Sequence, residues 1–280
     1  MTAAGRCVEL WVEARDGAPA INPVMRSVLQ ALRSDGADVR IRVPEWEVAD
    51  PAVATLPPAL VLLKTATTFG LSCAIADEAA GIRFLNRAHD SLRTNDKAAT
   101  IACLADAGLP VPPTFLAKAG DDPTQPPPGL VGPWFVKPTR GVHGTGVVEH
   151  QAFPLSIPLT ATTGGATVVD DGTRLVQMSV GGDTPDIKVY VAGETIFAGR
   201  KRFAPRSFAV DAIAPITLDS ATADLVNATG EALGLRLFGI DLRTDEGTAF
   251  IIDVNPFPGY RGFPEAVSPI LGEIERGLGE

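Results

Sequence analysis

The chain has 280 residues, enough for one or two domains at ~150 residues each, with 45% apolar and 20% charged side chains. Its 24 basic and 33 acidic residues leave a net charge of −9, which excludes a general nucleic-acid binder, because neutralising phosphates needs a basic face. No apolar run approaches the ~20 residues of a membrane span, and Glu9 and Glu13 interrupt the N-terminus where a signal peptide is continuously apolar. A cytoplasmic protein with no membrane and no nucleic-acid partner is expected.

In chain order, Val8, Leu10 and Val12 alternate as in a strand, and Asn22-Pro23 opens a helix with Val24, Val28, Leu29 and Leu32 at helical spacing. Gly36 stops it, Val39, Ile41 and Val43 alternate again, and the run 59–64 suits a strand buried on both faces. A helix over 71–80 ends at Gly81, and 83–86 reads as a further short strand. Strand–helix–strand units of this kind imply a parallel, doubly wound α/β domain over residues 1–90. Thr94 or Asn95 can cap the next helix, striped by Ala98, Ile101, Ala102 and Ala105 and stopped by Gly108. The pattern then turns to β over 134–137, 147–150, 174–178, 186–192 and 195–203, with a helix near 219–233 and a final strand pair, 236–243 and 249–255. The three cysteines, Cys7, Cys73 and Cys103, have no CxxC spacing and read as reduced core residues.

Three constellations carry chemistry. A three-residue loop over Asp245–Gly247 would set Thr244 opposite Thr248 and Asp241 opposite Ile251 in the last hairpin. Alternation then gathers Gly239, Asp241, Arg243, Ile251, Asp253 and Asn255 on one face, with Asp253 the diagonal neighbour of Asp241, about 7–8 Å away. Phe238, Ile240, Leu242, Phe250, Ile252 and Val254 take the other face. Two carboxylates and an amide are hard oxygen donors that suit Mg²⁺. Second, Lys137 ends a strand, and Gly141, Gly144 and Gly146 follow around His143 and Thr145, so that backbone N–H groups and a point charge can cradle phosphate. Third, Lys188, Arg200, Lys201, Arg202 and Arg206 cluster around two β segments, with Arg200 and Arg202 on one face and Lys201 on the other. Lys97 stands in the first turn of its helix, where the macrodipole disfavours a cation.

Together these segments resemble the ATP-grasp superfamily over about 83–265: NDKAATIACLADAGLPVPPT its first lysine and helix, WFVKPTRGVHGTG its second lysine and glycine-rich flap, RLVQM its adenine hinge, and GIDLR with IIDVNPFPG its metal end. The resemblance implies a central lobe over 91–179 and a C-terminal lobe over 180–280, two β-rich lobes sandwiching ATP, with Mg²⁺ on its phosphates. It implies that Lys97 and Lys137 with Gly141, Gly144 and Gly146 hold the phosphates, that Gln177, Met178, Ser179 and Val180 hold adenine, and that Asp241, Asp253 and Asn255 hold the metal. Arg202, Lys188 and His143 become the expected catalytic groups, and Lys64, Arg140, Arg200 and Gly259 the expected contacts of a small-molecule acceptor. A homodimer is a possible assembly.

TRGVHGTG, DIKVYVAGETIFAGRKRF, LLKT and IDVNPFPGYRG are similar to the inositol 1,3,4-trisphosphate 5/6-kinase family. That likeness implies transfer of the γ-phosphoryl group to a hydroxyl of a polyol or cyclitol, with Asp241 or His143 as the base. The alternative is a carboxylate–amine ligase like RimK and glutathione synthetase, acting through an acyl phosphate. RimK-type ligases share the PGY-R-G ending in loose form, but usually have Glu in place of Asp253. A nucleotide-binding subunit without turnover is disfavoured by the intact set of two lysines, two aspartates and Asn255.

Overall fold

The computed structural model describes residues 5–47, 58–118, 130–140, 147–153, 172–201 and 213–279. Strand β1 (Cys7–Trp11) leads into a small hairpin, β2 (Ala14–Arg15) and β3 (Ala18–Pro19). Its turn residues Asp16 and Gly17 have φ of 50° and 74°, the paired left-handed conformations of a two-residue type I′ turn. Helix α1 (Pro23–Ser34) follows, capped by the Asn22 side chain, which accepts from the Met25 N–H at 3.0 Å. Then come β4 (Asp38–Arg42), β5 (Leu60–Leu63) and α2 (Thr68–Ala79). The three longer strands form a parallel sheet in the order β4-β1-β5. Alternation sends Val8, Leu10 and Leu62 to one face, under α1, and Trp11, Val61 and Leu63 to the other, under α2. A sheet covered on both faces is the doubly wound arrangement expected.

The expected strand at 83–86 reduces to one parallel bridge, Val61 to Phe84. The side chain of Asn86, which follows, ties this segment to the last sheet. Its amide donates to the carbonyl oxygens of Leu237, at 2.6 Å, and Pro256, and accepts from the N–H groups of Arg236 and Leu237. Asn86 is 1% exposed, so Asn86→Ala strands four backbone groups away from water. At about 1–3 kcal/mol for each unsatisfied group, partly relieved by relaxation, denaturant titration should show a loss of about 3–5 kcal/mol. A loss below 1 kcal/mol would mean that this joint carries no stability.

Two helices follow, α3 (Ala88–Asn95) and α4 (Lys97–Asp106). The cap of α4 is Asp96, whose Oδ1 accepts from Ala98 and Ala99 N–H, so Thr94 and Asn95 belong to a preceding helix. The buried residues of α4 are Thr100 and Leu104; of the expected stripe, Ala102 and Ala105 are exposed.

The central sheet is antiparallel in the order β6-β9-β7-β8, from β6 (Thr114–Lys118), β7 (Trp134–Pro138), β8 (Val148–His150) and β9 (Thr173–Met178). The last sheet comprises β10 (Asp186–Ala192), β11 (Thr195–Lys201), β12 (Ala214–Ile216), β13 (Leu237–Asp245) and β14 (Thr248–Asn255), in the order β12-β11-β10-β13-β14 and antiparallel throughout. Helix α5 (Ser220–Leu233) and Leu104 of α4 pack on its apolar face, against Val189, Val191, Phe238, Ile240, Leu242, Ile251 and Val254. The final helix, α6 (Val267–Gly279), returns to the first sheet, where Ile270, Ile274 and Leu278 join Leu10, Leu29 and Leu60 in one core. Phe197, Phe257, Tyr260 and Phe263 complete that core and tie the last sheet to the first. Among the described residues no helix is long and apolar enough to cross a membrane. Cys7, Cys73 and Cys103 are free thiols.

Candidate functional site

The hairpin β13–β14 sets the site. Its turn has two residues, Glu246 and Gly247 (φ 46° and 84°), so Asp245 pairs with Thr248, one step from the expected register. Continued without interruption, that register would pair Asp241 with Ile252 and turn Asp253 into the apolar core. A bulge at Ile252 shifts the phase by one residue. Asp241 therefore stands directly opposite Asp253, as a cross-strand pair rather than a diagonal one, and Gly239 stands opposite Asn255. The two-residue turn also moves Ile251 to the core side with Leu242, in place of the expected Phe250 and Ile252.

Both carboxylates meet a lysine. Lys188 on β10 is the cross-strand partner of Asp241 on its other side, and its Nζ lies 2.6 Å from both carboxylate oxygens. Burial works against the Lys188 charge, but Asp241 outweighs it and the lysine pKa is raised. Lys97 reaches across from the first turn of α4 and places Nζ 2.5 Å from Asp253 Oδ1. Burial likewise disfavours the Asp253 charge, yet Lys97 and Lys137 hold its pKa below the usual carboxylate value. The misfit of Lys97 with its helix dipole is thus resolved by a tertiary carboxylate.

The central sheet supplies the other wall. Alternation along β7 puts Trp134 and Val136 into a small core with Val176, and leaves Phe135 and Lys137 facing the cleft. Lys137 is buried, and Gln177, across β9, accepts from its Nζ at 2.6 Å. The Gln177 Nε2 donates in turn to Thr114 Oγ1 on β6. Desolvation lowers the Lys137 pKa to about 8. The start of α4 is tied to the same sheet, because Lys97 N–H donates to the Thr139 carbonyl at 2.9 Å. Lys97, Lys137, Gln177, Leu175, Ile251 and Asp253 line the resulting cleft.

In the segment expected to form the hinge, Met178 and Ser179 give their N–H groups to the carbonyls of Pro113 and Pro133, and the Val180 carbonyl accepts from Arg243. Arg243 is buried, also bonds Asp186 at 2.7 Å and the Gly182 carbonyl, and so latches this segment to β13. The sequence placed Arg243 beside Asp241 without showing this role, and gave no sign of the Gln177–Lys137 bond.

Other expected contacts fall elsewhere. Lys64 Nζ donates to the carbonyls of Phe257 and Pro258 at 2.9 and 3.3 Å, and burial brings its pKa down to about 8. Its amine holds the chain leaving β14 rather than pointing free at an acceptor. Arg140 pairs with Asp96, the residue before Lys97. Arg200 is exposed, and its partner Ile187 faces the apolar core, so it stands on the sheet face away from Asp241. Lys201 pairs with Asp186 in register and occupies the Lys188 face, the reverse of the expected assignment. Asn255 Oδ1 accepts from Phe257 N–H at 2.9 Å, and Gly259 lies between Asn22 and Arg261. Gly141, His143, Gly144, Gly146 and Arg202 lie outside the described residues.

Two β-rich lobes that close lysine amines and paired carboxylates between them define the ATP-grasp fold, and the chain is an ATP-dependent enzyme with that fold. Residues 209–274 match the family described as the inositol 1,3,4-trisphosphate 5/6-kinase ATP-grasp domain. The chain is 25% identical over 213 residues to a "Probable alpha-L-glutamate ligase" of Legionella pneumophila (strain Corby), covering 72% of this chain and 68% of that protein. Among solved structures, a RimK domain ATP-grasp protein from Sphaerobacter thermophilus superposes with a TM-score of 0.70 at 17% identity, over 98% of this chain and 100% of the other. The ATP-grasp ligase PsnB, solved with its precursor peptide PsnA2 and AMPPNP, superposes with a TM-score of 0.65 at 18% identity, over 99% of each chain.

Proposed function

We propose that this enzyme is an ATP- and Mg²⁺-dependent carboxylate–amine ligase. The observation that carries the reading is the extent of the two likenesses. Similarity to a glutamate ligase runs over 213 residues, whereas similarity to the kinase domain is confined to 209–274, the hairpin and its flanks. A second observation points the same way. A kinase for a phosphorylated polyol needs free cations at the acceptor, and Lys64, expected there, is engaged by the carbonyls of Phe257 and Pro258.

Asp241 and Asp253 already face cations 2.5–2.6 Å away, so the pair fits a divalent ion of hard-oxygen preference. With Asn255 they would hold Mg²⁺, which supplies charge neutralisation along the triphosphate. Lys97 and Lys137 then take phosphate oxygens, Lys97 by leaving Asp253. Gln177 keeps the Lys137 amine aimed into the cleft, and Arg243 holds the hinge that joins the lobes. An acceptor carboxylate oxygen attacks the γ-phosphorus, the bond to ADP breaks, and an acyl phosphate forms. Lys188 is placed to balance the charge gathering there once it releases Asp241. The amine nitrogen then attacks the acyl carbon, inorganic phosphate leaves with the bonding pair, and the nitrogen loses its proton.

Trapping with hydroxylamine tests the reading. MgATP, a panel of amino acids and short peptides, and hydroxylamine should yield a hydroxamate with ADP and phosphate in equal amounts. A phosphorylated polyol formed without free phosphate would overturn the ligase in favour of the kinase.

A further inference from the structure

The polar face of the last sheet is laid out in rows across its strands. Gly199, Lys188, Asp241 and Asp253 form the row that holds both carboxylates, and Phe197, Tyr190, Gly239 and Asn255 form the next. Successive rows of one face are two residues apart along a strand, about 7 Å. On the opposite side of the carboxylate row, Asp186 bonds Arg243, which also holds the carbonyls of Val180 and Gly182, in and beside the segment expected at adenine. Along β10 the nucleotide end therefore lies at Asp186, the metal and phosphates at Lys188, and Tyr190 beyond them. In phosphoryl transfer the attacking and leaving oxygens stand roughly in line through phosphorus. An acceptor that attacks from the side opposite ADP arrives over the Tyr190 row.

That row holds one ring in a fixed place. The Tyr190 ring lies against Gly239, where an added Cβ would stand 3.3 Å from Tyr190 Cδ1 and 3.1 Å from Pro258 Cβ. Tyr260 and Phe263 pack on it from other sides, with centroids 5.6 and 5.7 Å away. One row further, Ala192 is buried in the core shared with the first sheet, so Tyr190 stands at the border between that core and the site. The two tyrosines differ at their hydroxyls. Tyr260 donates to the Val191 carbonyl at 2.6 Å. Tyr190 is half-buried, and among the described residues its hydroxyl has no hydrogen-bond partner. Phenylalanine would serve packing alone, as Phe197 and Phe263 do in the same cluster. A phenol in such surroundings normally finds a partner. Burial pushes the Tyr190 pKa up, which keeps the hydroxyl protonated as a donor at neutral pH.

We propose that the Tyr190 hydroxyl is a contact of the acceptor, donating a hydrogen bond to the carboxylate that is phosphorylated beside Lys188 and Asp241. The proposal rests on the ligase reading and adds to it a residue that holds the acceptor. The O–H donates to the carboxylate oxygen that does not attack phosphorus, so the other oxygen is turned toward the γ-phosphoryl group. Tyr190 keeps its proton throughout, and the oxygen it holds becomes the carbonyl of the acyl phosphate.

Tyr190→Phe in the full-length enzyme tests this, because it removes the hydroxyl and keeps the ring. L-glutamate, L-aspartate and short peptides serve as carboxylate probes, with MgATP and hydroxylamine, and hydroxamate is measured. A hydrogen bond to a charged group is worth about ten- to a hundredfold in affinity. The kcat/KM for the best carboxylate should fall by that factor, mostly through KM, with the ATP KM within about twofold of the parent and Tm unchanged. If the acceptor kinetics move less than about threefold, the contact is wrong and the ligase reading stands. If the ATP KM rises equally, or Tm falls by about five degrees or more, the ring is only structural and the contact is again wrong. If the parent enzyme makes no hydroxamate from any carboxylate, the ligase reading itself falls and the contact with it.

Discussion

Asp253→Asn should lower turnover with MgATP by about 10²–10³-fold, the usual cost of removing one preorganised charge partner, and should leave the fold intact. The substitution keeps the shape of the side chain and removes only its charge. That charge is the counterweight of Lys97 at 2.5 Å and also acts on buried Lys137. A fully buried pair broken in this way would cost several kcal/mol. The Asp253 side chain is 41% exposed, however, so water screens the lysines left behind and the loss of stability is about 1 kcal/mol or less. For a chain of this size that is about 2–4 °C in Tm. Steady-state kinetics and a thermal melt separate the two effects. Turnover within tenfold of the parent would remove Asp253 from the metal site, and a drop of ten degrees or more would show that the variant failed by unfolding.

The hairpin that carries this residue shows what a sequence can and cannot disclose. The apolar alternation of Phe238, Ile240 and Leu242 is plain, and it puts Asp241 on the polar side. The turn is harder to read, because Glu246 occupies a left-handed conformation that side chains rarely adopt. A two-residue turn alone would have pointed Asp253 inward. The bulge at Ile252 reverses that, and nothing local to FIIDVN marks it. The convergence of the two carboxylates follows from strand periodicity, while their direct opposition depends on two deviations that offset each other.

The cationic strands failed differently. Alternation separates Arg200 from Lys201, but only the pairing of β10 with β13 says which side carries Asp241. Other features had a local signal. Asp16-Gly17 between short segments is a hairpin cue, and Ile270, Ile274 and Leu278 recur every fourth residue, as on a buried helix face. Gln177, Arg243 and Asn86 had none, because each acts on partners from 40 to 170 positions away.

The Lys137–Gln177 bond yields the other large effect, on pH dependence. The amine binds phosphate as an ammonium, and burial has brought its pKa down to about 8. The charged form therefore dominates below that pH and is lost above it, so kcat/KM for ATP should fall about tenfold per unit beyond pH 8. Lys137→Ala should raise the ATP KM strongly and abolish the limb. In Gln177→Glu a carboxylate would replace the neutral Oε1 now 2.6 Å from the amine. An opposite charge at that range favours the ammonium by about 1–3 pKa units, so the limb should move to higher pH while the ATP KM at pH 7 changes little. Lys64 also titrates at about 8. Lys64→Gln keeps N–H donors for Phe257 and Pro258 and removes that ionisation, so a limb that persists in this variant belongs to Lys137. A limb that vanishes with Lys64, or that stays fixed in Gln177→Glu, would detach Lys137 from the phosphates and return the cradle to the glycine-rich segment that follows it.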